Sequence, residues 1–188
     1  MTELILDSLR RRMRAMHSLW EDAVDTMDVD QVNHVERAPV LPIAFSLFHM
    51  AQIEDGSASM LGAGDFVYDD TWGDRMKLGV ADHGKHRTVD EMIDQRIGDY
   101  AVFTDYLRAV FAKTETWLAT LAPESLTEVV VQRPFPDQIA STYSARVAGP
   151  DGITRLDGIE CWIYQHGLRH MGEVEHARAL VGLQGMTS

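Results

Sequence analysis

Apolar residues recur at three- and four-residue steps from about Glu3 to Met27, through Leu6, Leu9, Met13, Met16, Trp20, Ala23 and Met27. That period lines one face of a helix, so the pattern predicts a first long helix with a methionine-rich core stripe. A second helix is expected to open near Pro42, because proline is well placed in a first turn. It should run through "IAFSLFHMAQIEDGSASM" and stop before Gly62 and Gly64. The stretch "GAGDFVYDDTWGDRMKLGVADHGKHR" has glycines, aspartates and no period, and reads as a long loop. Thr88 begins the capping box "TVDE", which predicts a third helix from Thr88 to about Leu121. Between Leu126 and Leu156, "TEVVVQRPF" is rich in β-branched residues, and "STYSARVAGPDGITRL" reads as two extended stretches around "GPDG". A fourth helix is expected from about Leu156 to Val181, with Gly182 placed to cap it.

Four amphipathic helices and one long crossover loop predict an all-α four-helix bundle. A small β-hairpin before the last helix would embellish it. The 188 residues suffice for one domain with a real core, and no repeat or low-complexity linker divides them.

The charge narrows the function classes. A net charge of −12 argues against electrostatic capture of nucleic acid or of an anionic membrane. The longest uncharged run, Ala38 to Ile53, contains Pro39, Pro42 and His49 and is a poor membrane span. "MTELILDSLRRRMRAMHSLW" lacks the apolar run and small-residue cleavage site of a signal peptide. Cys161 is the single cysteine, so no intramolecular disulfide can form. A soluble, cytoplasmic protein is the expectation.

Chemistry enters with "YQHGLRHMGEVEHARALVG". On a helical wheel centred on His166, Ile159, His170, Ala177, Ile163 and Val181 all fall within about +20° to +60°, and Glu173 at about −20°. Two imidazoles and a carboxylate therefore share the apolar stripe. One histidine on such a face is ordinarily a satisfied core residue, but two at i, i+4 are what a helix offers a divalent ion. On the second helix, His49 lies with Pro42, Ile53 and Met60 and also points inward. Three buried neutral imidazoles are costly to satisfy one by one, and a single cation satisfies all three. Facing helices of a bundle commonly build such sites. Three protein ligands leave positions open for water or substrate, and imidazole ligation suits Zn, Ni, Cu or Fe. Glu173 is compatible with a fourth ligand, an anchor for His170, a base acting on bound water or thiol, or a carboxylate that merely reaches the rim.

These features resemble the DinB-like (YfiT-like) family of metal-binding four-helix bundles. The resemblance covers nearly the whole chain and rests on "FHMAQIE", "HGLRHMGE" and the closing "LVGLQG". It implies that His49, His166 and His170 hold the metal. Glu173 stands where the family often has Gln. The resemblance further implies one divalent transition metal ion, Zn or Ni, a homodimer, and a low-molecular-weight thiol as co-substrate. An enzyme of this kind would be a thiol S-transferase, isomerase or hydrolase, with Glu173 as its candidate catalytic residue. A non-catalytic protein binding metal or a small ligand, as in a stress response, is the alternative, and a bundle with merely buried histidines is a third.

Other patterns carry less. Glu173-x-x-His176 has the spacing of di-iron bundles, but no other histidine follows a Glu by three. Asp82, His83 and His86 could form a loop site, though solvated loop histidines are commoner. His17 and His34 read as ordinary histidines, Cys161 as a packing residue, and Tyr68 and Trp72 as a pocket lip, a dimer contact or pins for the loop. There is no phosphate-binding glycine loop and no nucleophile elbow.

Overall fold

The structure is a computed structural model that describes residues 2–186. In chain order it contains α1 (Thr2–Asp25), α2 (Val29–Asn33), α3 (Ile43–Met60), α4 (Asp70–Met76), α5 (Val89–Met92) and α6 (Tyr100–Thr120). A 3-10 turn (Pro123–Thr127), β1 (Val129–Gln132), α7 (Asp137–Ala140), α8 (Tyr143–Val147) and β2 (Gly152–Thr154) follow. The last helical run is α9 (Arg155–Gly158), a π-helical segment (Ile159–Tyr164) and α10 (Gln165–Leu180). The fold is thus mainly α, with a small two-stranded antiparallel sheet.

The long helices bury their apolar faces on one another. α1 packs on α6, and α3 packs on both α6 and α10. Trp20, Met13 and Met16 meet Phe48, Met50, Phe103, Tyr106, Ile163 and Val174 in one core. The predicted stripe of α1 is buried throughout. α3 opens at Pro42 as expected, and it is buried on nearly every side, which is why it shows little amphipathic contrast. Gly167 lets α1 approach α10 closely, since a Cβ there would lie 2.4 Å from Met16 Sδ. Among the described residues no helix is long and apolar enough to cross a membrane.

The connections correct several expectations. The capping box at Thr88 is present, yet it caps only the single turn α5. The long helix begins at Tyr100, where the Asp99 carboxylate caps Val102 N–H. Between them, Gln95 clasps the Val80 backbone from both sides, Leu78 bridges Ile97, and the Gly98 N–H donates to Met76 O. These tertiary hydrogen bonds end α5 early. The long stretch after Gly62 is not all loop, for Asp69 caps α4 within it. Tyr68 and Trp72 are half-buried and pack on Tyr106, so they pin this segment to the core. Asp55, fully buried, accepts from the Val67 and Tyr68 N–H groups and from Lys113 Nζ.

Nor do the two strands form a simple hairpin. β1 pairs with β2 across α7 and α8, and "YSARV", expected to be extended, is the helix α8 with Thr142 as its cap. Cys161, read as a packing residue, is buried, and α8 packs on the π segment that carries it.

His17 is more than an ordinary core histidine. Its Nδ1 lies 2.7 Å from Glu115 Oε1 and its Nε2 3.0 Å from Glu54 Oε1, with the ring stacked on Phe111. His34 is exposed beside Glu36.

Candidate metal centre

α3 and α10 lie side by side, and their pairing brings His49, His166 and His170 together. One ring nitrogen from each falls within 4.8 Å of the others. His166 Nε2 lies 3.3 Å from His49 Nε2 and 3.1 Å from His170 Nε2. A tetrahedral ion with bonds of about 2.0–2.1 Å sets its ligand nitrogens roughly 3.3–3.4 Å apart, close to these separations.

The partners on the far sides of the rings set the tautomers. His49 Nδ1 contacts the backbone carbonyl of His83, which can only accept, so Nδ1 carries the proton and Nε2 presents a lone pair. His170 Nδ1 lies 2.6 Å from Glu173 Oε2. The hydrogen bond from His170 holds the Glu173 carboxyl below its ordinary range, so the group is ionised and Nδ1 again donates. In the neutral ring, the form that binds a metal, the His170 Nε2 lone pair then also faces His166. Three nitrogens converge with at most one proton among them, carried by His166 Nε2. That proton can satisfy only one of the two facing lone pairs.

The electrostatics point the same way. Burial lowers His49 to about 4, opposed by its bond to the His83 carbonyl and aided by His170. Burial lowers His166 to about 2, with His170, His49, Arg169 and Lys85 adding in the same direction. Both rings are neutral near pH 7, the form in which imidazole binds a metal. The donor set, its neutrality and its outer hydrogen bonds all fit a divalent ion.

Glu173 stands beside His170 at the rim, two of the places that the sequence left open to it. Its side chain is 57 % exposed, so the carboxylate stands at the rim, not within the buried stripe. Oε2 accepts from both His170 Nδ1 and Ser46 Oγ, the latter at 3.0 Å. His176 is exposed, in keeping with the absence of a di-iron motif.

The residues that the sequence reading missed are on the strap from Asp82 to Arg87. Asp82 does not join a loop metal site. Arg87 and the Gly84 N–H engage its carboxylate. The strap instead offers the His83 carbonyl to His49. Gly84, at φ +74, is buried where a Cβ would meet Phe45 at 2.9 Å, and Phe45 stacks on His49. The glycine between two histidines was the available signal, but nothing local says that the carbonyl would find a helix far back in the chain.

No protein-family model matches the chain, and no curated protein matches it. Among solved structures it is similar to the crystal structure of a conserved protein from Enterococcus faecalis, with a TM-score of 0.72. The identity is 19% over 94% of this chain and 96% of that one, so the likeness is one of fold.

Proposed function

We propose that the protein is a mononuclear divalent-metal-binding four-helix bundle of the DinB-like kind, with Zn or Ni on His49, His166 and His170. One observation carries this reading. The outer hydrogen bonds of His49 and His170 turn both Nε2 lone pairs onto His166 Nε2, an arrangement that a cation satisfies and protons cannot. Four long helical segments packed around one core support the bundle.

With three protein ligands, positions stay open, and a bound ion would supply Lewis acidity to a thiol or water entering there. The proposed chemistry is a thiol-dependent S-transfer, isomerisation or hydrolysis in the cytoplasm, by a homodimer. In it, Glu173 holds the tautomer of His170 through Oε2, while Oε1, without a hydrogen bond among the described residues, is free to take a proton from substrate. Ser46 fixes the carboxylate's orientation.

Metal content tests the core of this proposal, using protein purified without chelator or affinity-column metal. About one ion per chain in the parent, lost in His49→Ala and in His166→Ala, is the expected result. A parent that arrives metal-free and refuses added Zn and Ni would overturn it.

A further inference from the structure

The strap from Asp82 to Arg87 is closed on itself by its two ends. The Arg87 guanidinium grips the Asp82 carboxylate, with Nε 3.0 Å and Nη2 2.7 Å from Oδ2. Asp82 Oδ1 accepts from the Gly84 N–H at 2.8 Å, and the Arg87 N–H donates to Gly84 O at 3.0 Å. Between these ties the Lys85 N–H donates to His83 Nδ1 at 3.0 Å. The loop so made turns the His83 carbonyl inward, where it accepts the His49 Nδ1 proton. Gly84 stands against Phe45 and Met92 and seats the middle of the strap on the bundle. The ion pair itself is exposed, with 37 % of the Arg87 side chain and 54 % of the Asp82 side chain open to solvent. Such a pair adds little to the stability of a fold. Here it closes a loop whose carbonyl orients a buried histidine.

We infer that this strap is a metal-coupled clasp. Through the His83 carbonyl, the Asp82–Arg87 pair raises the affinity of the three-histidine centre for its ion, and the bound ion in turn holds the strap shut. The inference rests on the metal reading above. With the strap closed, the proton of His49 is held at Nδ1 and Nε2 is free to bind. With it open, the ring can carry its proton at Nε2, which must be removed before an ion is bound. A metal on Nε2 fixes the proton at Nδ1 and strengthens that N–H as a donor to the carbonyl. Coupling of this kind is reciprocal, so each event favours the other by the same factor. Asp82 and Arg87 touch neither the ligand nitrogens nor the ion and are positioning residues.

Two measurements on the full chain test the two directions. Zinc affinity, by competition with a chromophoric chelator, should fall about tenfold in Arg87→Ala and be largely restored in Arg87→Lys, which keeps the charge. Arg108→Ala breaks an ion pair of similar exposure, with Asp25 on α1, and should leave zinc affinity unchanged. In the parent, hydrogen exchange of residues 82–87, followed by mass spectrometry, should slow about tenfold at saturating zinc. Affinity unaltered in Arg87→Ala, an equal loss in Arg108→Ala, or strap exchange indifferent to zinc would each overturn the inference and leave the metal site intact. A parent that binds no zinc fails the metal reading itself, and this inference falls with it.

Discussion

His49 on α3 gives its Nδ1 proton to the backbone carbonyl of His83, thirty-four residues further along the chain. A side chain on a buried helix is thereby oriented by a surface strap. Its Nε2 is committed to the centre before any ion arrives, as outer-shell acceptors do for metal-bound histidines generally.

Displacing that strap should weaken the site without touching a ligand. Gly84→Ala meets both a positive φ and the Phe45 ring. Zinc affinity, measured by competition with a chromophoric chelator, is expected to fall about tenfold to a hundredfold while the helical content by circular dichroism stays unchanged. Unaltered affinity would mean that the carbonyl of His83 is dispensable.

Glu173 separates positioning from proton transfer. Glu173→Gln keeps an acceptor for the His170 Nδ1 proton but removes the charge, and Glu173→Ala removes both. Metal affinity should fall about tenfold in the first and further, toward a hundredfold, in the second. Affinity unchanged in both variants would sink the anchoring role.

At Gly167 α1 and α10 approach closely. Gly167→Ala pushes a methyl toward the Met16 thioether, and overpacking of this kind costs about 1–3 kcal/mol. Urea unfolding should report a loss of that order, partly recovered by Met16→Ala in the same chain, because the smaller side chain vacates the space.

The buried Glu54–His17–Glu115 array makes stability depend on pH. Burial disfavours the charged imidazole, but the charges and hydrogen bonds of Glu54 and Glu115 outweigh it and raise His17 above its ordinary 6.5. With the folded value above the unfolded one, the contribution is complete below about 6.5 and is lost as pH rises through the folded value. The excess melting temperature of the parent over His17→Gln should therefore be larger at pH 6 than at pH 9. A difference that is constant or grows with pH would show that His17 is neutral in the folded chain.

Much of this protein is written locally. The period of α1, the apolar density of α3 and the i, i+4 pair His166 and His170 depend on helical geometry alone, which one segment fixes for itself. His49 could be assigned to the same centre because inward-facing polar groups from two helices must share a core, and burial makes them costly apart. The Thr88 capping box was legible too, but a cap marks where a helix starts and carries no information on where it stops.

What the tertiary structure alone decided was every pairing between distant segments. Gln95 on the Val80 backbone stops α5, and Asp55 tethers the crossover at Val67 and Tyr68. The pairing of Glu54 and Glu115 on His17, and of the His83 carbonyl on His49, has the same origin. Local sequence sets which face of a helix is apolar. Which distant donor meets which acceptor is fixed only when the whole chain has packed and buried polar groups must find partners.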